Sequence, residues 1–258
     1  MRLLRRLFSS DEALPTGGDV AIAPERTVYV IGDVHGRDDL LVRLLEKIEA
    51  DAAKVPADPP VIILVGDYVD RGEDSAAVLR RVFALDNASE DVICLLGNHE
   101  CMLLDFIDAA SDTGGRWLRH GGLQTLGSFG IGGVTDTSPA AALEEAAAAL
   151  AIAMGDDLVA WLRNRPLDWQ SGNLVVTHAA LDPELPVDSQ PDRFKLWGHP
   201  EFMQRGGPPG LWVAHGHVIV DLPEARKGRI SVDTGAVFTG KLTAAVLRPG
   251  GEPEFIQT

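Results

Sequence analysis

The sequence contains only two cysteines, Cys94 and Cys101, among its 258 residues. So few thiols exclude a disulfide scaffold of the kind that staples small secreted domains. We expect both to be free thiols, buried or half-buried, which fits a reducing compartment, and we therefore expect a cytoplasmic location.

Positive charge is also scarce. The 23 lysines and arginines face 38 aspartates and glutamates, so the formal net charge is −15. Such a surface repels nucleic acid phosphates and anionic membranes. The basic start, Met1–Phe8, is far too short to span a bilayer. We expect neither a nucleic acid polymer as partner nor stable membrane insertion, and the oligomeric state stays open.

The length allows one large domain, and no Pro/Gly/Ser-rich linker divides the chain. We expect residues 1–24 to form a flexible N-terminal segment and residues 25–258 to form a single domain. A helical, cap-like insertion is expected around residues 101–170, where an Ala-rich stretch at 139–162 is predicted to be helical.

Short apolar runs alternate with helical patterns in the first part of the chain. Strands are predicted at 27–31, 61–65 and 92–96, with helices around 38–48 and 74–85. This alternation predicts an α/β architecture with a largely parallel first sheet. Later runs, at 173–177, 211–214, 229–232 and 242–247, lack long intervening helices and predict a second sheet stacked on the first.

Polar residues follow five of these predicted strands at the point where each ends. In chain order they are Asp33, His35, Asp67, Asn98, His178, and the pair His215 and His217. Ligands of α/β sheets bind in the crevice at the carboxyl ends of the strands, so we expect these side chains to converge there. Spacing alone does not separate His215 from His217.

The donor types indicate a catalytic metal centre. Carboxylate, amide and imidazole ligands without cysteine suit manganese, iron or zinc in an open site better than a closed structural zinc site. Six ligands are too many for one ion with a free position. They suit two ions about 4 Å apart that share one carboxylate, the geometry of in-line displacement at phosphorus. Each motif alone is typical of an ordinary turn or helix start, but their succession after buried strands is not.

Five motifs resemble the signature of the calcineurin-like metallophosphoesterases: GDVHGR (32–37), GDYVDRG (66–72), GNHE (97–100), VVTHAAL (175–181) and AHGHV (214–218). More narrowly, the chain resembles the bacterial phosphoprotein phosphatase branch, related to serine/threonine phosphatases, in WLRHGGLQTLGSFG (117–130) and ISVDTGAVFTGKLTAAVL (230–247). The resemblance runs from about Thr27 to Leu247. It implies two packed mixed β-sheets flanked by helices, an α/β/β/α fold.

The resemblance also implies roles for individual residues. It assigns Asp33 and His35 to one ion, Asn98, His178 and His217 to the other, and Asp67 to both; this is the reason for choosing His217 over His215. It makes His99 the proton donor to the leaving oxygen, oriented by Asp70, with Arg71 and Asn98 binding the phosphoryl group. Manganese is the first expectation for the two divalent ions, with iron or zinc as alternatives.

The chain departs from the related phosphatases in one important place. They carry a second phosphate-binding arginine two residues after a tryptophan, whereas Trp197-Gly198 leads here to His199. We expect either that His199 contacts the substrate, or that a nearby arginine, Arg193 or Arg205, does so, or that the substrate is held differently.

The predicted function is that of a phosphomonoesterase, in which a hydroxide bridging the two metals attacks phosphorus. Phosphorylated proteins (serine/threonine, dual-specificity or tyrosine) are the first expected substrates, with small phosphoesters as surrogates. The alternative is a diadenosine tetraphosphate hydrolase or another nucleotide phosphohydrolase of the same fold, in which another residue typically replaces Asp70. An inactive binding module is a third possibility, opposed by the presence of every candidate ligand.

Overall fold

The computed structural model describes residues 20–54 and 59–258, and all elements below belong to that part of the chain. In chain order the strands are β1 (Val28–Ile31), β2 (Val61–Leu64), β3 (Val92–Cys94), β4 (Asp168–Ser171), β5 (Leu174–Thr177), β6 (Trp212–His215), β7 (Glu224–Arg226), β8 (Arg229–Ser231), β9 (Thr243–Leu247) and β10 (Glu254–Gln257). The α-helices are α1 (Asp38–Ala52), α2 (Ser75–Ala88), α3 (Asn98–Trp117), α4 (Leu123–Ser128), α5 (Ala140–Met154), α6 (Asp156–Arg163), α7 (Asp192–Trp197), α8 (Phe202–Arg205) and α9 (Ala236–Thr239). A π-helical segment, Leu118–Gly122, joins α3 to α4.

The strands form two mixed sheets of five. The first has the order β10-β9-β1-β2-β3, in which β1, β2 and β3 are parallel and β9 and β10 are antiparallel additions. The second has the order β4-β5-β6-β8-β7, with β5, β6 and β8 parallel between two antiparallel edge strands. The expected α/β class and the pair of mixed sheets are confirmed.

Successive side chains along each strand point to opposite faces of the sheet, and those on one face pack between the two sheets. Val28 and Val30 of β1 belong to an apolar cluster with Leu174 and Val176 of β5, which places this cluster between the two sheets. Their neighbours in β1 point to the other face and pack with the helices α1, α2, α3, α5 and α6. A smaller cluster covers the outer face of the second sheet. The layers are therefore helix, sheet, sheet and helix.

Two details of the predicted elements were wrong. The run 242–247 was expected in the second sheet, but β9 pairs antiparallel with β1 in the first. The single helix expected at 139–162 is two helices, because Gly155 between α5 and α6 has φ 81°, a left-handed conformation that ends a helix. The cysteine prediction is confirmed, since Cys94 is a buried and Cys101 a half-buried free thiol.

The expected boundary between a flexible N-terminal segment and the domain, at residue 24, agrees only in part with the described structure. Residues 1–19 of the expected flexible segment lie outside the described residues. From Val20 the chain is packed: Ile22 is buried and the Trp212 indole donates to the Val20 carbonyl at 2.9 Å.

In the described part of the chain no helix is both long and apolar enough to cross a bilayer.

Most of the chain between β3 and β4 is helical, from Asn98 in α3 to Arg163 in α6, with a loop at 129–139 between α4 and α5. The apolar faces of α3, α5 and α6 pack on the helix-covered face of the first sheet. The expected insertion around 101–170 therefore corresponds to a helical layer that starts slightly earlier and ends earlier. Its cap-like role stays a prediction.

Candidate metal centre

The register of both sheets brings the candidate residues to one edge. In the first sheet Ile31 pairs with Leu64, and Leu64 with Cys94, so the parallel strands β1, β2 and β3 end level with each other. In the second, Thr177 pairs with His215. Asp33, Asp67, Asn98, His178 and His217 all follow these strand ends, and the structure places them together as expected from parallel strands.

The backbone of this edge is unusual. Six non-glycine residues in the described chain have positive φ, and five of them are candidate site residues: His35 (44°), Asp67 (53°), Asp70 (73°), Arg71 (68°) and His217 (64°). Non-glycine residues in this region carry strain of about 1–3 kcal/mol each, and such strain clusters at functional sites. These backbone conformations therefore lower the stability of the fold, and they set the directions of five side chains at the site.

Asp67 lies at the centre of two groups of potential ligands. One group is His35, Asp67 and His99, the other Asp67, His178 and His217, and in each the ligand atoms lie within 4.8 Å of one another. The two oxygens of the buried Asp67 carboxylate face different groups. Oδ2 lies 3.5 Å from His35 Nε2, and Oδ1 lies 3.4 Å from His178 Nε2. A carboxylate so placed can serve two ions at once.

The contacts of Asn98 fit a cation. Its Oδ1 lies 2.8 Å from His178 Nε2 and 3.0 Å from His217 Nδ1. His178 Nδ1 lies 3.1 Å from the Val65 carbonyl, which only an N–H can satisfy. Burial lowers the pKa of His178 to about 4, so this imidazole is neutral and has only one N–H. The Nε2 lone pair therefore faces the Asn98 side-chain amide, and both side chains can bind one metal ion at this point.

His35 is held in the tautomer that a metal ligand needs. Its Nδ1 donates to the Val69 carbonyl at 2.7 Å, which leaves the Nε2 lone pair free. Burial lowers the pKa of His35 to about 3, so the ring stays neutral. An Arg71 guanidinium nitrogen donates to Nε2 at 2.9 Å. A lone pair that accepts from this cation is equally suited to a metal ion.

Asp33 completes the acidic side of the centre. Burial, together with the negative charges of Asp233 and Asp67, raises the pKa of Asp33 well above its usual range. Its two oxygens accept the His217 backbone N–H at 3.1 and 3.2 Å. A Cβ at Gly216 would collide with Asp33 Oδ1, which explains the glycine between the two histidines. Asp33 belongs to neither group of three, so its assignment as a ligand stays a prediction.

His99 and Asp70 form a buried pair beside the first group. His99 Nδ1 lies 2.6 Å from Asp70 Oδ2, and its Nε2 accepts from Arg71 at 2.9 Å. Burial lowers the pKa of His99, but the carboxylates of Asp67 and Asp70 outweigh it, so the pKa lies above its usual value. The contacts suit an oriented proton donor, although His99 also lies among the potential ligands.

The two histidines of the last motif have different surroundings. His215 is fully buried in β6, with Nε2 2.9 Å from Ser231 Oγ and its ring edge-on to Phe202. His217 faces Asn98 and His178 instead. These contacts favour His217 over His215 as the candidate ligand, for a reason that spacing could not supply.

His199 has partners outside the groups of potential ligands. Its ring packs edge-on against Phe194, and its Nε2 lies 3.8 Å from Asp182 Oδ2. Arg193 lies over the Phe194 ring, and Arg205 pairs with the exposed acidic side chains of Glu184 and Glu201. A substrate contact by His199 therefore stays a prediction, and these arginines are engaged elsewhere.

Glu100 has a structural role that the sequence reasoning did not assign. This buried carboxylate accepts four backbone N–H groups, and these belong to Asp67, Tyr68, Val69 and Gly97. The bond to Gly97 is one half of a capping box at the start of α3, a signal readable from Gly-x-x-Glu. The other three bonds, which hold the loop of the central aspartate, follow only from the tertiary structure.

We expect Glu100→Gln to weaken metal binding by about 10- to 100-fold, the usual cost of losing support behind a ligand. Each Glu100 oxygen accepts two N–H groups, so an amide NH₂ in place of either oxygen opposes two donors and shifts the Asp67 loop. Titration calorimetry with Mn²⁺ measures the effect. Glu46→Gln, an exposed change on α1, is the matched control. Unchanged affinity in Glu100→Gln would contradict this role.

The matching family model is that of the calcineurin-like phosphoesterases, over residues 26–221. The chain belongs to this family. Its metallophosphoesterase fold and the expected family are thereby confirmed. The matched range includes all six candidate ligands together with Asp70, Arg71 and His99.

One related calcineurin-like phosphoesterase is the symmetrical bis(5'-nucleosyl)-tetraphosphatase of Methylococcus capsulatus, 33% identical over 156 residues. The match covers 60% of this chain and 44% of the relative, so the chain matches less than half the length of that protein.

Two solved structures share the fold. One, a protein provisionally named a diadenosine tetraphosphatase, is 24% identical with a TM-score of 0.57, over 92% of this chain and 98% of the other. The second is the cold-active protein-tyrosine phosphatase of a Shewanella species, 19% identical with a TM-score of 0.55, over 92% of this chain and 83% of the other. At these identities the likeness shows the fold alone.

Proposed function

We propose that this calcineurin-like phosphoesterase hydrolyses its substrate at a dinuclear metal centre. The proposed ligands are Asp33, His35, Asp67, Asn98, His178 and His217. The observation that carries the proposal is the position of Asp67, whose two oxygens face two separate groups of potential ligands. The contact between Asn98 and His178 supports it, because the Asn98 Oδ1 lies 2.8 Å from His178 Nε2 and both side chains can bind one ion.

Two divalent ions in such a centre activate water and neutralise charge on phosphoryl oxygens. We propose manganese first, with iron or zinc as alternatives, because the ligands are oxygen and nitrogen atoms without thiolate. The two ions would also make the electrostatic potential at the site positive. The chain as a whole is strongly acidic, so binding of a phosphate depends on this local positive charge.

The protein's own groups then bind and protonate the substrate. Arg71 reaches between His35 and His99 with its two terminal nitrogens, and this planar fork suits two phosphoryl oxygens. Asn98 is proposed to bind the phosphoryl group as well. His99 is held by Asp70 at Nδ1, and its Nε2 accepts from Arg71 in the structure described. With Arg71 on the phosphoryl group instead, a protonated His99 delivers its Nε2 proton to the leaving oxygen.

The substrate proposed first is a dinucleoside polyphosphate. The related proteins at about 30% identity are named symmetrical bis(5'-nucleosyl)-tetraphosphatases, which supports this class over the phosphoproteins expected first from the sequence. A surface feature agrees with it. Arg116 stacks over the exposed Trp197 ring at 4.8 Å. Arg116 precedes Trp117, which contacts Asp70. Trp197 precedes Gly198, where an added Cβ would lie 3.9 Å from the His217 ring. A cation on an aromatic face next to the centre suits a nucleobase.

A protein phosphatase or other phosphomonoesterase is the second candidate. The Asp70-Arg71-Gly72 form of the second motif favours it, since Asp70 is the residue that related tetraphosphatases typically replace. The short contact between Asp70 and His99 indicates that this aspartate has a role here. The helical layer 98–163 is proposed to border the substrate site in either case, and a cytoplasmic location stays a prediction.

A substrate panel with purified, metal-reconstituted protein separates the candidates. The panel contains diadenosine tetraphosphate, phosphoserine and phosphotyrosine peptides, and p-nitrophenyl phosphate, each with Mn²⁺, Fe²⁺ or Zn²⁺. We expect the highest kcat/KM for the dinucleotide, and we expect Trp197→Ala to raise KM for the dinucleotide but not for p-nitrophenyl phosphate. Preference for phosphopeptides would replace the first candidate by the second. No turnover of any phosphoester would overturn the proposed function.

A further inference from the structure

We propose that Trp117 and Thr125 are positioning residues that hold the Asp70 carboxylate against His99. The proposal deepens the proposed function, on which it rests, and it assigns a task to the segment WLRHGGLQT (117–125). That segment contains none of the proposed ligands or substrate contacts.

The Asp70 carboxylate has all its partners inside the protein. Trp117 Nε1 lies 2.9 Å from Oδ2 and 3.1 Å from Oδ1, and the Thr125 hydroxyl donates to Oδ1 at 2.7 Å. His99 Nδ1 is the remaining partner, at 2.6 Å from Oδ2. The side chains of Asp70, Trp117 and Thr125 are completely buried. With water excluded, these two donors fix the direction from which Asp70 meets the imidazole.

The same segment also holds the backbone on which Asp70 stands. Asp70 and Arg71 both have left-handed φ values, 73° and 68°. The Asp70 N–H is accepted by the Thr125 hydroxyl at 2.9 Å, and the Arg71 N–H by the Gly121 carbonyl at 3.3 Å. Thr125 therefore contacts Asp70 at both its backbone and its side chain. Strained backbone of this kind persists only where surrounding contacts enforce it.

A break in the helix at Gly121 explains how one segment reaches all these groups. Trp117 and Thr125 are eight residues apart, so in a continuous α-helix they would lie about 12 Å apart along the axis. Gly121 has φ 110°, outside the helical range, so the chain changes direction between the two side chains within the segment 118–122. Its two glycines allow close packing. A Cβ at Gly121 would lie 2.5 Å from the Arg71 nitrogen, and one at Gly122 would lie 2.5 Å from the Trp117 ring.

Packing alone would require only the ring of Trp117, which contacts Phe106 at a centroid distance of 4.6 Å. The positioning role requires the indole N–H and the threonine hydroxyl. Trp117→Phe and Thr125→Val remove these donors while keeping apolar bulk. Thr125→Ser keeps the hydroxyl and is the conservative rescue. Trp161→Phe is the matched control, because the Trp161 indole donates to Asp86 at 2.8 Å away from the candidate centre.

We expect Trp117→Phe and Thr125→Val each to lower kcat by about 10- to 100-fold, the usual cost of losing support behind a reactive group, with KM unchanged. The loss should be larger for phenyl phosphate than for p-nitrophenyl phosphate, because a more basic leaving oxygen depends more on a proton donor. Thr125→Ser and Trp161→Phe should keep wild-type kcat. Metal content, measured by plasma mass spectrometry, should stay at the wild-type value in all four variants.

A double-mutant cycle gives the sharpest test. If Trp117 acts through His99, then Trp117→Phe has no further effect in a His99→Asn background. Losses that add, or a loss that is equal for both aryl phosphates, would show that Trp117 supports the fold in general and would overturn the proposal. An active wild type with an unaffected Trp117→Phe variant would also overturn it while leaving the proposed function intact. An inactive wild type would overturn the proposed function itself.

A measurement that needs no turnover checks the contact directly. The indole N–H resonance of Trp117 is identified in the metal-free protein by its disappearance in Trp117→Phe. We expect Asp70→Asn to shift this resonance and to leave that of Trp161 in place. A Trp117 resonance that is unchanged by Asp70→Asn would contradict the hydrogen bond on which the proposal depends.

Discussion

Asp67→Asn is expected to remove at least one of the two proposed metal ions and to lower metal affinity by roughly 150- to 4,000-fold. Asp67 is the one residue that belongs to both groups of potential ligands, and its oxygens face His35 and His178 separately. Loss of a buried charge partner costs about 3–5 kcal/mol, which corresponds to this range of affinity. The amide keeps the shape of the side chain but removes the charge, and turnover should fall with the lost ion.

Plasma mass spectrometry of the purified variant measures the ions per chain, and calorimetry measures the affinity. Asp38→Asn is the matched control, since Asp38 pairs with Arg81 at the start of α1 and has no contact with the proposed ligands. The control should bind two ions and keep wild-type turnover. Asp67→Asn protein with two fully occupied ions would contradict the bridging position of this carboxylate.

His99→Asn is expected to lower kcat by about 10²- to 10⁴-fold while both ions are retained, because this is the usual size of a general acid contribution. The imidazole is held by Asp70 on one nitrogen and meets Arg71 on the other, so it is oriented toward the substrate side of the pair. Asparagine preserves a polar group of similar reach but has no proton to transfer at this point.

Metal analysis of the same variant decides whether His99 is a proton donor or a metal ligand. Both are open because the ligand atoms of His99, His35 and Asp67 lie within 4.8 Å of one another. Loss of an ion from His99→Asn would make it a ligand rather than a proton donor. His120→Asn is the control. His120 is exposed and its Nδ1 lies 2.8 Å from the Arg116 carbonyl, so its replacement should change neither kcat nor metal content.

The positions of the candidate ligands could be predicted because they depend on a local rule. A buried apolar strand is easy to recognise, and the residue after it lies at the carboxyl edge of the sheet. Asp33, Asp67, Asn98 and His178 each follow such a strand, and the parallel register brings them together. The choice of His217 over His215 needed more than spacing: the family resemblance indicated it, and the packing of His215 in the second sheet supports it.

The elements that were missed have weak local signals. The edge strands β4, β7 and β10 contain polar residues such as Asp168, Glu224 and Glu254, and they form because a neighbouring strand offers hydrogen bonds. The assignment of 242–247 to the second sheet was wrong for a related reason. Pairing of β9 with β1 joins residues about 215 positions apart in sequence, and no local pattern encodes such a partner.

The supports of the site were missed because their partners are distant in sequence. Trp117 is 47 residues from Asp70 and Thr125 is 55, so nothing near either residue indicates the shared carboxylate. Glu100 was recognisable as part of a helix start, but its hold on the Asp67 loop depends on how α3 meets β2. The surroundings of His199 likewise follow from the folding of 182–201, and they do not supply the missing arginine.

The order of the two substrate candidates changed for a reason that lies outside the site itself. The presence of Asp70 in the second motif favours a phosphomonoesterase, whereas the names of the relatives at about 30% identity support a dinucleoside tetraphosphate as the proposed substrate. Both classes need the same metal centre and the same proton donor. The exposed pair of Arg116 and Trp197 is where the two candidates should differ, since a phosphopeptide has no nucleobase to stack there.

The dinuclear centre is tested most directly by anomalous diffraction from crystals grown with Mn²⁺. We expect two anomalous peaks about 4 Å apart, with the Asp67 carboxylate between them, His35 at one peak, and Asn98, His178 and His217 at the other. A single peak, or two peaks that do not share Asp67, would contradict the dinuclear centre.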